Sequence, residues 1–124
     1  MSIIVYNKNK ETHLGENNYP IYRPNILGNP YTDIKDKQTK ALYIVKNRSE
    51  AIQKYNDYFD LKYGKDIQFT NLVDEIYNKY KNGETIYLEC LCSPLPCHGD
   101  VIKKKLEQRL LREKIKEIKL HKVK

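Results

Sequence analysis

The segment Thr85–Cys92 (TIYLECLC) constrains the fold more than any other part of the chain. Apolar side chains occupy both of its faces, with Ile86 and Leu88 on one and Tyr87 and Leu91 on the other. A strand of this kind is typical of the centre of a sheet that is covered on both sides. A helical pattern follows a few residues later, and a strand that leads into a helix in this way indicates an α/β domain.

Local signals place the other elements. Ser2–Tyr6 (SIIVY) is apolar and β-branched and predicts a first strand. Asn47 and Glu50 have capping-box spacing at the start of a helix that Gly64 ends. A further helix is predicted over Asn71–Lys81, and Asn82-Gly83 after it is a typical helix stop. Ala41–Val45 is compatible with a strand or with the lead into the first helix.

A chain of 124 residues has room for one hydrophobic core. We expect a small single-domain α/β sandwich with a short, mostly parallel sheet, flanking helices and a long basic C-terminal helix. Residues 1–106 hold the domain, and residues 107–124 extend its last helix. No apolar run is long enough to cross a bilayer. Three cysteines without a secretory leader predict a cytoplasmic protein and argue against a disulfide scaffold.

The positive charge is concentrated at one end. The net charge is +7, and the segment Lys103–Lys124 alone carries ten Lys/Arg and three Asp/Glu. This segment predicts a helix that contacts nucleic acid, or alternatively a solvated charged face. An apolar stripe continues along this helix through Leu111, Ile115 and Ile118. We expect the stripe to pack on the domain or on a second copy of the chain in a homodimer.

The segment Cys90–Asp100 (CLCSPLPCHGD) carries the chemistry. It lies where a buried strand passes into a helix, and ligands of open α/β sheets bind at this edge. A helix N-terminus favours an anion and would lower the pKa of Cys97, which predicts a reactive thiolate. His98 and Asp100 are the accompanying catalytic candidates. Ligand contacts are expected from residues around the same turn: Cys92, Pro96 and Gly99.

Structural alternatives stand beside each of these roles. Cys90 and Cys92 are small apolar residues suited to a core. His98 can hydrogen-bond a loop carbonyl, and Asp100 can cap the helix. Zinc binding by Cys90, Cys92, Cys97 and His98 is a weaker alternative, because the spacing differs from that of paired zinc knuckles. We therefore predict no metal and no cofactor.

A second polar segment, Tyr22–Tyr31, is rich in Pro, Gly and Asn. Here Tyr22 and Arg23 end a strand and turns follow. An arginine offers a fork for phosphate, and asparagine can read a base or sugar edge. The predicted ligand contacts are Tyr22, Arg23, Asn25, Gly28 and Asn29, with Arg48 as a second phosphate contact. The alternative is a turn held together by its own asparagines.

Three motifs carry a resemblance to a known family. They are R-P-x-x-x-G-N-P-[FY] at Arg23–Tyr31, R-x-x-A-[IV]-x-x-[YF] at Arg48–Tyr55, and C-x-C-x-P-x-P-C-H-G-D-V at Cys90–Val101. Over Tyr19–Leu106 the chain resembles the bacterial and phage family called domain of unknown function 4326. Many members have Trp where this chain has Leu91. The resemblance implies a small α/β domain in which the motifs meet, and a phage protein acting in nucleotide metabolism or in countering host defence.

The sequence therefore predicts a domain that binds a phosphate-bearing, nucleotide-like small molecule at the junction of the arginine loop and the cysteine turn. One alternative is a Cys/His-dependent enzyme acting on a nucleotide or nucleoside. Another is a nucleic-acid-binding module that uses the basic helix. No complete catalytic set is visible in the sequence, which favours binding over turnover.

Overall fold

The structure is a computed structural model that describes residues 2–32, 43–91, 93 and 95–123. Its strands are β1 (Ser2–Asn7), β2 (Asn18–Pro20), β3 (Tyr31–Thr32), β4 (Tyr43–Ile44) and β5 (Thr85–Cys90). Its helices are α1 (Arg48–Lys62), α2 (Ile67–Lys81) and α3 (His98–Val123). The α/β class and the long C-terminal helix are thus as expected.

The sheet has three parallel strands in the order β1-β5-β2. Strand β5 is central, as its apolar pattern predicted. One face of the sheet carries Ile3, Ile86 and Leu88, which are buried in one cluster with the apolar sides of the helices. The other face carries Tyr87 and Glu89, which are only half-buried. The helices therefore cover one face of β5, and the second face is not the apolar layer that the sequence predicted.

Strand ends depend on the neighbouring strand. Strand β5 ends at Cys90, not at Cys92, because its neighbour β1 ends at Asn7, which is in register with Cys90. Strand β2 ends at Pro20, so the expectation that Tyr22 and Arg23 end a strand is wrong. Those two residues enter a turn, in which the amide of Asn25 donates to the carbonyl of Tyr22.

The helices begin and end at recognisable caps. The side chain of Asn47 accepts a hydrogen bond from the amide of Glu50 at 2.8 Å, which confirms the predicted start of α1. Helix α2 begins at Ile67, four residues before the predicted start, because Asp66 caps it by accepting from the amide of Phe69. Gly83 has φ of 95°, the left-handed conformation that a helix stop favours.

The C-terminal half of α3 extends beyond the core. Leu106 and Leu110 are buried, whereas Leu111, Ile115 and Ile118 are between 43 and 59% exposed. The apolar stripe therefore does not pack on the domain. In the segment Ala41–Val45, for which a strand and the lead into a helix were both open, residues 43–44 form β4, and residues 41–42 lie outside the described part of the chain. No helix within the described ranges has the length and apolar character needed to span a bilayer.

Candidate functional site

The turn between β5 and α3 closes on itself at the helix start. The amide of Cys97 donates to Oδ2 of Asp100 at 3.1 Å, and the amide of Asp100 donates to the carbonyl of Cys97 at 3.1 Å. Asp100 is exposed and lies in the first turn of α3, where a carboxylate also complements the helix dipole. The geometry of Asp100 is therefore that of a capping residue.

The thiol of Cys97 is buried, with 3% of the residue exposed. Burial, reinforced by the neighbouring Cys90 thiol, raises the pKa of Cys97 to about 12. The expected lowering of this pKa is wrong, because the cost of removing a thiolate from water exceeds the favourable field of the helix N-terminus. Cys90 is buried as well, as the core alternative predicted. Cys92 lies outside the described residues.

The imidazole of His98 is buried and hydrogen-bonded. Its Nε2 lies 2.6 Å from the carbonyl oxygen of Ile21, and since a carbonyl only accepts, Nε2 carries the proton. The ring also makes an edge contact with Tyr55, at 4.8 Å between centroids. Burial lowers the pKa of His98 to about 4, so the ring is neutral at pH 7. The alternative in which His98 binds a loop carbonyl is the arrangement observed.

The arginine loop is held mainly by its own side chains. Nη1 of Arg23 donates to the carbonyl of Asn29 at 2.7 Å, and Nδ2 of Asn25 donates to the carbonyl of Tyr22 at 2.8 Å. A Cβ on Gly28 would lie 2.9 Å from the carbonyl oxygen of Asn25, so the loop closes only around glycine. These contacts match the alternative of a self-stabilised turn.

Two side chains fasten the loop to α1. Nδ2 of the buried Asn29 donates to the carbonyl of Ala51 at 3.1 Å, and its Oδ1 accepts from the amide of Tyr31 at 2.9 Å. The hydroxyl of Tyr55 donates to the carbonyl of Leu27 at 2.8 Å. The arginine loop and the cysteine turn thus meet, but mainly through buried structural contacts.

Gly99 serves the packing of α3 on the sheet. A Cβ at this position would lie 2.8 Å from Cγ1 of Val5 and 2.9 Å from Cδ1 of Ile21. The space beside Gly99, which was expected to admit a ligand, is filled by these core side chains. Close approach of backbone to the sheet is therefore the reason for glycine here.

We expect Gly99→Ala to lower the free energy of unfolding by about 1 kcal/mol. Overpacking of a core typically costs about 1–3 kcal/mol, and alanine regains up to about 1 kcal/mol of helix propensity over glycine. Urea denaturation measures the difference. An increase in stability, the usual result of Gly→Ala in a helix, would contradict the packing role.

An open groove of about 770 Å³ lies between α1 and α3 beside the junction of the two motifs. It is lined by Arg48, Ser49, Ile52, Gln53, Asn56, Pro96, Val101, Lys104, Lys105 and Gln108. At one end Nη1 of Arg48 donates to the carbonyl of Pro96 at 3.2 Å. Two of the predicted ligand contacts, Arg48 and Pro96, therefore line the groove, and the arginine-loop residues do not.

Two cations of the groove, Arg48 and Lys104, form no ion pair with a carboxylate within the described part of the chain. Nζ of Lys105 lies 2.8 and 3.0 Å from the two carboxylate oxygens of Asp60, which neutralise it. Lys104 is exposed, and within the described ranges Arg48 donates to the neutral carbonyl of Pro96. The N-termini of α1 and α3 lie at the same end, where Glu50 and Asp100 in their first turns offset part of the positive potential. The arrangement suits an anionic ligand.

The described residues hold no cluster of three or more His, Cys, Asp or Glu side chains that could bind a metal ion. In this same part of the chain, Nε2 of His98 is already engaged by the Ile21 carbonyl. That contact removes the nitrogen from any ligand set that the zinc alternative would need.

Comparison with protein families identifies the chain. The model of the family described as domain of unknown function (DUF4326) matches residues 4–108. The chain belongs to the DUF4326 family. No curated protein and no solved structure matches it. The matched region ends within α3, so the family core includes both motifs, α1 and the whole lining of the groove.

A polar network on the outer face of the DUF4326 sheet was missed by sequence reasoning. The hydroxyl of Tyr6 donates to Oε2 of Glu89 at 2.8 Å and also contacts Oδ1 of Asn18. Nδ2 of Asn18 donates to the same Oε2 at 3.0 Å. Burial alone would raise the pKa of Glu89, but hydrogen bonds from Asn18, Tyr6 and Tyr22 hold this pKa below its usual value. The network joins the three strands and explains the position of Tyr22.

Sequence reasoning also missed the lining of the groove in this DUF4326 chain. Besides the predicted Arg48, α1 contributes Ser49, Ile52, Gln53 and Asn56, and α3 contributes Val101, Lys104, Lys105 and Gln108. Residues at these spacings of three and four share one helix face. The sequence therefore contains the lining residues as two stripes of mostly polar side chains, one on each helix. Nothing in the sequence indicated that the two stripes face each other.

Proposed function

We propose that this protein binds a phosphate-bearing, nucleotide-like small molecule in the groove between α1 and α3. The observation that carries the proposal is the groove itself, about 770 Å³ in volume, with Arg48 and Lys104 as cations that have no carboxylate partner among the residues the structure describes. Pockets of this size are typical of small-molecule sites. A role in phage nucleotide metabolism or in countering host defence belongs to the proposal as an analogy with the family.

The motif residues Cys97, His98 and Asp100 support binding rather than turnover. Cys97 has a raised pKa, His98 is neutral with its donor nitrogen engaged, and Asp100 caps α3. A nucleophile needs an accessible thiolate, and a general base needs a free lone pair near its proton. In this proposal Cys97, His98 and Asp100 stabilise the turn beside the groove, and affinity comes from the cations and amides that line the groove.

We expect Arg48→Gln to weaken binding of a nucleoside phosphate at least tenfold. A hydrogen bond to a charged group contributes about 1.5–3 kcal/mol, and about 1.4 kcal/mol corresponds to a tenfold change in Kd. A thermal-shift screen of nucleoside phosphates and ADP-ribose identifies a ligand, since a hundredfold excess over Kd stabilises the protein by about 2.7 kcal/mol. Isothermal titration calorimetry then compares the wild type with Arg48→Gln.

The matched control is Lys116→Gln, which removes one positive charge from the exposed C-terminal half of α3. Under our proposal it leaves nucleoside phosphate affinity unchanged. If the basic helix Lys103–Lys124 instead binds nucleic acid, Lys116→Gln weakens that binding and the affinity falls steeply with salt. A screen in which no phosphate-bearing compound stabilises the wild type would overturn the proposed function.

A further inference from the structure

We infer that the outer half of α3, residues 111–120, is a docking helix that inserts into an apolar groove rimmed by carboxylates on a partner protein. The inference concerns a surface outside the groove between α1 and α3 and does not depend on the proposed function. It follows from the exposure of this half, from the narrow apolar stripe along it, and from the sign of the charges beside the stripe.

The outer half of α3 is exposed on all sides. Residues 114–120 are all exposed, whereas Leu106 and Leu110 in the inner half are buried in the core. Glu113 pairs with Lys81 of α2 at 3.1 Å, near the point where the helix leaves the domain. A partner can therefore enclose the helix beyond this point instead of touching only one side of it.

Leu111, Ile115 and Ile118 form a narrow apolar stripe along this half. Their spacings of four and three residues place them on one side of the helix, turned away from the side on which Leu106 is buried. Leu120 is exposed as well, but it lies on the other side of the helix and does not belong to the stripe. Amphipathic helices that bind in apolar grooves use anchors at these spacings.

Every charged side chain beside the stripe in this half is positive. With about 100° of rotation per residue, Lys114 lies along one edge of the stripe, and Arg112 and Lys119 lie along the other. All three side chains are exposed. A partner that covers the stripe therefore meets cations on both edges, and carboxylates on the rim of its groove complement them.

The acidic side chains of this region do not offset the cations at the edges. Glu113 and Glu117 lie on the other side of the helix, and Glu113 pairs with a lysine of α2. Glu107 lies on the side of the stripe but one turn before it, and Lys103 and Lys104 are its helical neighbours at spacings of four and three. The uniform positive sign is therefore a property of residues 111–120.

A second copy of the chain fits this surface poorly. The stripe from Leu111 to Ile118 is a single heptad, whereas a coiled-coil pattern continues over about three to four heptads. Lys104 and Gln108 occupy the equivalent positions in the two turns before it, so the apolar seam does not continue there. In either orientation of a helix pair, the cations at the edges of one copy face those of the other, which opposes pairing.

Nucleic acid and an anionic membrane each match only part of this surface. Phosphate groups would pair with the cations and leave the apolar stripe in water. A helix that lies on a membrane has a broad apolar face, with Trp, Phe or Leu along it. Residues 111–120 contain no aromatic residue, and cations border the stripe closely on both edges. A protein groove, which is narrow and can carry carboxylates at its rim, matches both features.

The test uses Ca²⁺-loaded calmodulin as a probe, because its flexible, methionine-rich groove accepts basic amphipathic helices of many sequences. Fluorescence anisotropy of labelled calmodulin is measured while the full chain is added, with Ca²⁺ and with a chelator. We expect saturable binding in Ca²⁺ only. Ile115→Ser should weaken it at least tenfold, because a buried isoleucine contributes more than the about 1.4 kcal/mol that corresponds to a tenfold change in Kd.

The matched control is Leu120→Ser, which removes an exposed leucine from the other side of the same half of α3. It should bind calmodulin as the wild type does, and unchanged melting temperatures show that both variants are folded. The inference is wrong if the wild type does not bind Ca²⁺-loaded calmodulin, or if Leu120→Ser weakens binding as much as Ile115→Ser.

Two further measurements separate the other occupants of the stripe. Light scattering after size exclusion should show a monomer, and a dimer that Ile115→Ser converts to a monomer would assign the stripe to a second copy. Co-sedimentation with vesicles of phosphatidylserine and phosphatidylcholine should give equal, weak binding for the wild type and Ile115→Ser. Strong binding that Ile115→Ser abolishes would assign the stripe to a membrane and overturn the inference.

Discussion

Replacing Asn29 with alanine is expected to lower the free energy of unfolding by about 2–4 kcal/mol. The side chain is buried and makes two hydrogen bonds to backbone, one to the Ala51 carbonyl in α1 and one from the amide of Tyr31. Each lost hydrogen bond costs about 0.5–1.5 kcal/mol, and a buried group left without a partner costs about 1–3 kcal/mol. Equilibrium urea denaturation monitored by circular dichroism measures this change in the free energy of unfolding.

The matched control for Asn29 is Asn25→Ala in the same loop. Asn25 is half-buried and makes one hydrogen bond, from Nδ2 to the carbonyl of Tyr22. We expect this change to cost about 1 kcal/mol or less. If the two variants lose equal stability, Asn29 does not fasten the loop to α1 in the way described.

Acidification is expected to destabilise the protein through His98. Its pKa is about 4 in the folded protein against an ordinary value of 6.5, and burial is the main cause, with Arg23 acting in the same direction. The unfolded chain therefore binds the proton more tightly. The contribution of neutral His98 is complete above pH 6.5 and is lost as the pH falls towards 4. The full loss is about 3 kcal/mol, of which about 2 kcal/mol falls between pH 6.5 and 5.

The substitution His98→Gln tests this assignment. A glutamine amide nitrogen can donate to the Ile21 carbonyl in place of Nε2 but does not titrate. Urea denaturation at a series of pH values should show a steep loss of stability below pH 6.5 for the wild type and a nearly flat profile down to pH 5 for the variant. Carboxylates with lowered pKa, such as Glu89 and Asp74, lose their contributions only at lower pH. An identical slope in both proteins would exclude His98 as the cause.

These two residues suggest what the family motifs do in this chain. Asn29 joins the arginine loop to α1, and His98 joins the start of α3 to the end of β2 through Ile21. Together they hold the N-termini of α1 and α3 at one end of the groove. A motif of cysteine, histidine and aspartate can thus maintain the shape of a site without touching a ligand. This is consistent with our proposal, in which the motif residues have structural roles and the groove residues contact the ligand.

Features that depend on neighbours in sequence were predictable. The cap at Asn47 and the stop at Gly83 follow from backbone groups within one helical turn. The central position of Thr85–Cys90 was predicted from apolar side chains on both of its faces. The capping by Asp100 was available as an alternative for the same reason, since its partner is only three residues away.

Features that depend on burial or on distant partners were not predictable. The helix N-terminus before His98 indicated a lowered Cys97 pKa, but the sign of the shift depends on the desolvation that the packed core imposes. Tyr6, Asn18 and Glu89 are far apart along the chain and meet only because β1 and β2 both pair with β5. No local pattern carries that information.

The amino-acid sequence by itself determined the α/β class, the start of α1 at Asn47, the end of α2 at Gly83, the family, and the residue types around the two motifs, because helix caps and apolar periodicity depend on residues that are close together in the chain. Only the tertiary structure decided which of these residues are open to a ligand. Packing of the loop against α1 and α3 buries Asn29, Cys97 and His98, and the parallel course of the two helices leaves Arg48 and Lys104 facing a groove. Solvent exposure is a property of the whole fold, since it depends on every element that lies against a side chain.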